Sequence, residues 1–137
     1  MKSDLVETGS QQRPRLLIVE DEALLAMDME TTLESNGMDV VGIADTEEEA
    51  LREVRALSPD IVLMDIRLRS GDGISAARAI MNMGRVCVIF VSGNSDPNTY
   101  AAASQLRPAG WIRKPYDANR LPGLVLEAYQ RFRKSFE

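Results

Sequence analysis

Five short apolar runs recur along this 137-residue chain, and none of them alternates with polar residues: Leu16-Leu17-Ile18-Val19, Val40-Val41-Gly42-Ile43, Ile61-Val62-Leu63-Met64, Val86-Cys87-Val88-Ile89-Phe90-Val91 and Gly110-Trp111-Ile112. Continuous runs of this length mark strands whose sheet is covered on both faces. The intervening segments carry helical spacing. Leu25, Met29 and Leu33 share a face before Asn36-Gly37 supplies a stop. Thr46-Glu47-Glu48-Glu49 is a capping box, opening a helix with Ala50, Val54 and Leu57 on one side and Ser58-Pro59 at its end. Ile74, Ala77 and Met81 mark a third helix after the Gly71-Asp72-Gly73 turn, and Asp96-Pro97 starts a fourth. Leu121, Leu124, Val125, Ala128 and Phe132 mark a fifth, in which Pro122 fits if the helix begins near Asn119. Strand and helix in strict alternation predict an α/β fold, a doubly wound parallel sheet in one domain spanning 14–137. Residues 1–13 are polar and aperiodic, and read as a flexible tail.

Composition narrows the function. Sixteen Lys and Arg stand against 21 acids, a net charge of −5 that disfavours a nucleic-acid binder working by phosphate neutralisation. No apolar stretch is long enough to cross a bilayer, and no signal-peptide core opens the chain. The one cysteine, Cys87, lies within an apolar run and reads as a buried thiol. A reducing, cytoplasmic setting is the expectation. The absence of histidine removes Ser–His nucleophiles, His metal ligands and a phosphohistidine carrier.

In an open α/β sheet, ligands collect beyond the carboxyl ends of the strands. Those ends carry Glu20-Asp21-Glu22, Asp65, Ser92-Gly93-Asn94 and Lys114-Pro115. Clustered carboxylates repel unless a cation neutralises them, and Mg²⁺ fits because it binds a few carboxylates together with water and phosphate oxygens. The competing reading of Glu20 and Asp21 is a helix cap. Asp65 follows its strand directly, which suits a carboxylate that attacks phosphorus to form an acyl phosphate; a turn-capping Asp has the same local sequence. Lys114 can pair with Asp65 at rest and with phosphoryl oxygens afterwards, and an X-Pro bond there admits a cis form that aims the lysine inward. Ser92 can donate to a phosphoryl oxygen or simply form a turn beside Gly93. Trp111 reads equally as core filling.

Glu20-Asp21, Asp65, Ser92 and Lys114-Pro115, in that order at successive strand ends, resemble the receiver domain of bacterial two-component response regulators. The resemblance spans about 15–132, with 44 positions from Asp21 to Asp65 and 22 from Ser92 to Lys114. It implies a flavodoxin-like (β/α)5 sheet of strand order 2-1-3-4-5. It also implies that Asp65 takes a phosphoryl group from a sensor histidine kinase in a Mg²⁺-dependent reaction. Asp21 and Asp65 would ligate the ion directly, Glu20 through water, and the backbone carbonyl of Arg67 would add another ligand. Lys114 would contact the phosphoryl group, Ser92 would be the switch hydroxyl, and Trp111 would occupy the aromatic switch position, where Tyr or Phe is usual. Such a chain is a phosphoacceptor with slow autodephosphorylation rather than a turnover enzyme. It would signal through the face of its fourth helix, fifth strand and fifth helix, to a downstream protein or a phosphotransfer partner, with a homodimer through that face also open. The Val91-Ser92-Gly93-Asn94 form resembles receivers associated with HWE-type or related kinases.

Two departures stand out. Trp is larger than Tyr and donates only through its indole N–H. Arg107-Pro108 interrupts the approach to the fifth strand, and the small, polar 98–105 segment predicts a short, marginal fourth helix. At the start of the first helix, Leu24 and Met27 exceed what one face can bury, which suggests docking of a kinase's helical bundle. Rival readings are an aspartyl-phosphate phosphatase of the haloacid dehalogenase type and an unphosphorylated, receiver-shaped interaction module. The first wants a second Asp two positions after Asp65, where Arg67 stands; the intact acid, Ser and Lys set argues against the second.

Overall fold

The computed structural model describes residues 13–93 and 96–136; most of the expected tail (1–12) and Asn94 lie outside them. The elements follow strictly in turn: β1 (Arg15–Val19), α1 (Ala23–Glu34), β2 (Asp39–Ala44), α2 (Glu47–Leu57), β3 (Ile61–Asp65), α3 (Gly73–Met83), β4 (Cys87–Ser92), α4 (Pro97–Ser104), β5 (Gly110–Arg113) and α5 (Leu121–Lys134). The strands pair in parallel in the order β2-β1-β3-β4-β5. The flavodoxin-like expectation holds.

The period of two along each strand explains why the runs are continuous. Leu16 and Ile18, Ile61 and Leu63, and Cys87, Ile89 and Val91 join one buried cluster with Ala26, Met29 and Leu33 of α1 and Val125 and Ala128 of α5. Leu17 and Val19, Val62 and Met64, and Val88 and Phe90 join the other, with Ala50 and Val54 of α2, Ala77 and Ile80 of α3 and Ala103 of α4. The central strands β1, β3 and β4 are therefore dry on both sides, while the edge strands β2 and β5 are only partly covered. At Gly110 the approach of α5 is close: a Cβ there would stand 3.0 Å from Ala128 Cβ.

The helix signals also resolve into bonds. Thr46 Oγ1 accepts from Glu49 N–H at 3.1 Å, while Glu49 Oε1 accepts from Asp45 N–H at 2.8 Å, so the return arm of the capping box lands one residue earlier than its usual target. Ser58 closes α2 in the left-handed region, φ 48°, just before Pro59. Asp96 caps α4 by accepting from Thr99 N–H at 2.7 Å, and the helix is short, eight residues with Ala103 buried. The helix ends at Ser104, and the chain turns away from it at Arg107, φ 54°, ahead of Pro108. α5 starts at Leu121 rather than Asn119, because Asn119 N–H is turned back onto Asp117 Oδ1 at 2.9 Å; Pro122 still falls in the first turn, where its missing N–H costs nothing.

Candidate functional site

β1, β3, β4 and β5 end along one edge of the sheet, and their terminal residues meet there. Glu20, the first residue past β1, is held by its N–H to Ala44 O at 2.9 Å. Its side chain is turned under the edge, leaving the residue 2% exposed. Asp65 closes β3 and is 7% exposed. Lys114 is carried to the same point by its N–H donating to Ser92 O at 2.8 Å, and its bond to Pro115 is cis, the isomer the sequence admits. From there Lys114 Nζ donates to Glu20 Oε1 at 2.9 Å and reaches Asp65 Oδ2 at 3.4 Å. The remaining carboxylate oxygens are engaged too: Glu20 Oε2 accepts from Glu22 N–H at 3.1 Å and Asp65 Oδ1 from Arg67 N–H at 3.1 Å.

Asp21, half-buried, completes a trio: carboxylate oxygens of Glu20, Asp21 and Asp65 lie within 4.8 Å of one another. Three carboxylates against one ammonium leave an excess of acid that a hard divalent cation suits, since every side-chain donor is oxygen. The electrostatics agree. Burial, then repulsion from Glu20, pushes the Asp65 carboxyl up to about 6, opposed by the Lys114 charge and the Arg67 N–H. Burial alone would lower the Lys114 ammonium, but its hydrogen bond to Glu20 and the charges of Asp65 and Glu20 outweigh that and raise it. Lys114 therefore stays charged.

Ser92, 7% exposed, ends β4 beside this cluster. A cleft of about 380 Å³ runs from it past Pro97 and Tyr100 to Trp111. Trp111 is half-buried, its ring 5.3 Å from that of Phe90 beneath and 4.7 Å from that of Tyr100 on α4. It is both a packing residue and a wall of the cleft. Leu24 and Met27 point outward, 80% and 56% exposed; neither lines the groove of about 850 Å³ between α1 and the segment after β5, whose walls include Leu25, Met29, Pro115, Tyr116 and Leu121.

Two features escaped the sequence reading. Arg69 Nη2 donates to the backbone O of Asp21 at 3.0 Å, tying the β3–α3 loop to the segment that follows β1. Glu47, read only as part of a capping box, bonds that same loop from the other side. A turn-forming Gly-Asp-Gly signals a close approach, but nothing local says what approaches it.

A parallel sheet of this order, with acids and a lysine gathered at its carboxyl edge, defines the CheY-like group of flavodoxin-like domains. The chain belongs to the response regulator receiver family: residues 16–126 match the family model "Response regulator receiver domain". It is 33% identical over 118 residues to the chemotaxis protein CheY of Bacillus subtilis, covering 85% of this chain and 95% of that one. It is 31% identical over 120 residues to the transcriptional regulatory protein PdtaR of Mycobacterium tuberculosis, covering 88% of this chain and 58% of the relative. With the phyllosphere-induced regulator PhyR of Methylorubrum extorquens the identity is 31% over 124 residues, 89% of this chain and 46% of the relative. The chain thus spans about half the length of PdtaR and PhyR. Among solved structures, the signal receiver domain of a modulated diguanylate cyclase from Desulfovibrio desulfuricans G20 superposes with a TM-score of 0.82 at 36% identity, over 90% of this chain and 99% of that one. The chain is accordingly a receiver domain of two-component signalling, and no helix among the described residues is long and apolar enough to cross a membrane.

Proposed function

We propose that this receiver accepts a phosphoryl group on Asp65 from a sensor histidine kinase in a Mg²⁺-dependent reaction, and switches its α4-β5-α5 face in response. One observation carries the reading: carboxylate oxygens of Glu20, Asp21 and Asp65 lie within 4.8 Å of one another, with Lys114 Nζ 2.9 Å from Glu20 and 3.4 Å from Asp65. Asp21, Asp65 and the carbonyl of Arg67 would hold Mg²⁺ directly and Glu20 through water. Bound there, the ion supplies positive charge against the acids and the incoming phosphoryl oxygens.

A carboxylate oxygen of Asp65 attacks phosphorus of the donor phosphohistidine; the P–N bond breaks and its electron pair leaves with the imidazole nitrogen, giving an acyl phosphate. Lys114 exchanges its contact with Asp65 for one with a phosphoryl oxygen. The Ser92 hydroxyl donates to another, drawing the loop before α4 inward, and Trp111 follows along the cleft it shares with Ser92. The new group brings about −1.5 to −2 charges. A switch from 1:99 to 99:1 needs about 5.5 kcal/mol, within reach of a few charge-assisted bonds at roughly 1.5–3 kcal/mol each. The responding partner is a downstream protein or a phosphotransfer protein, or a second copy of the chain through the same face. Leu24 and Met27 dock the kinase, which is of the HWE or a related type on the strength of Val91-Ser92-Gly93-Asn94.

Acetyl phosphate with Mg²⁺ tests the chemistry. Nearly one hydroxylamine-labile phosphoryl group per chain, absent in EDTA, is the expected result; sustained release of phosphate over many turnovers would favour the phosphatase reading instead. Leu24→Asp tests the docking: it should block transfer from a kinase and spare labelling by acetyl phosphate, and loss of both would reject the docking role.

A further inference from the structure

Three glutamates open α2, and each does something different. Glu49 completes the helix cap and Glu48 faces solvent. Glu47 turns away from its own helix. Its Oε1 accepts from Asp72 N–H at 2.8 Å and its Oε2 from the Ser75 hydroxyl at 2.8 Å. Its own N–H donates to Ser70 O at 3.1 Å, where Thr46 and Ser70 form a parallel bridge. Gly71, φ +90°, lies so close that a Cβ at that position would collide with Glu47 Cβ. The half-buried carboxylate of Glu47 thus grips Asp72 and Ser75 in the loop and helix start that follow Asp65, and its backbone N–H holds Ser70 beside them.

The grip continues to the site. Asp72, whose N–H Glu47 holds, is bridged in antiparallel fashion to Arg67. Gly73 N–H donates to Ile66 O at 3.0 Å. Arg67 N–H in turn donates to Asp65 Oδ1 at 3.1 Å. From the Glu47 carboxylate to the Asp65 carboxylate there runs a succession of backbone hydrogen bonds, and the opposite flank of the loop is fixed by Arg69 on Asp21 O. A loop of residues 66–72 left to itself would sample many conformations; pinned on both flanks, it presents Arg67 in one.

The geometry points to Glu47 as a positioning residue for the phosphoacceptor site: by clamping Asp72 and Ser75 it sets the loop that places the Arg67 backbone against Asp65 and the metal position. This rests on the reading of Asp65 and Mg²⁺ given above. Removing groups that orient metal ligands costs about 10- to 100-fold in metal affinity, which sets the scale. The role makes the α2 N-terminus, remote from the α4-β5-α5 face, a second place from which the site can be tuned.

The test compares the full chain with Glu47→Ala and Glu47→Gln, whose amide oxygen can still accept from Asp72 N–H. Hydrogen exchange of the Arg67 and Asp72 amides is read by NMR without metal, and Mg²⁺ alone is titrated by calorimetry. For Glu47→Ala the expected result is exchange at those two amides faster by about tenfold with β3 and β4 unchanged, and Mg²⁺ affinity weakened by about tenfold. Glu47→Gln should restore most of both. Unchanged exchange at Arg67 and Asp72 would overturn the clamp, as would acceleration spread over the whole sheet, which marks a general loss of stability. Faster loop exchange in a chain that binds no Mg²⁺ even as wild type would leave the clamp standing and overturn the metal-site reading and Glu47's role in it.

Discussion

Lys114 Nζ lies 3.4 Å from Asp65 Oδ2 across 49 positions of sequence, and the same ammonium lies 2.9 Å from Glu20 Oε1. One lysine at the end of β5 thus holds two buried carboxylates from the ends of β1 and β3. Removing one partner of a buried ion pair costs more than the pair itself contributes, because the remaining charge stays desolvated.

Lys114→Ala should therefore destabilise the chain in EDTA by about 1–3 kcal/mol, less than for a fully buried pair because the lysine is partly solvated. Saturating Mg²⁺ should recover much of the loss by supplying the missing positive charge. Denaturant titrations with and without the ion measure this, and an equal loss in both would contradict it.

Asp65 gives a pH dependence of definite sign in metal-free buffer. Its carboxyl is raised from 3.8 to about 6 by burial and by Glu20. Below about 4 both folded and unfolded chains hold the proton and nothing is lost. Between about 4 and 6 the unfolded chain releases it while the fold retains it, so stability falls as pH rises and then levels off. Asp65→Asn should gain about 1–2 kcal/mol at neutral pH, the full linkage figure being reduced by solvent screening, and almost nothing near pH 4. Mg²⁺ affinity should weaken as pH falls through about 6, because the ion competes with the proton.

Trp111 is the only tryptophan, stacked between Phe90 and Tyr100. Tyr100→Ala should uncover its outer face and shift its emission to longer wavelength with little change in melting temperature. Phe90→Ala, in the dry core, should cost about 3–5 kcal/mol. Emission unchanged in Tyr100→Ala would contradict the stacking.

Cys87 is fully buried, and burial pushes its thiol up to about 12. The thiolate is the reactive species, so the native chain should resist a disulfide reagent at neutral pH and react at once when unfolded. Rapid labelling of the folded chain would contradict this placement.

Much of this architecture was legible because it is written in short-range pattern. Runs such as Ile61–Met64 need both faces covered, and caps such as Thr46 and Asp96 act over three residues. The acids, Ser92 and Lys114 were legible because strand ends in a parallel sheet converge by topology alone. The start of α5 shifted to Leu121 because Asp117 competes for the Asn119 N–H, a choice that spacing does not encode. The Glu47 and Arg69 contacts were hidden because they join loops 25 and 48 positions apart, and nothing at either end specifies its partner.

The central claim is that Asp65 alone holds the phosphoryl group, and intact mass reads it directly. Wild type and Asp65→Asn, each treated with acetyl phosphate and Mg²⁺, should differ: a gain of about 80 Da, one phosphoryl group, on the first and none on the second. An equal gain on both, or none on a wild-type chain shown to bind the ion, would contradict the account.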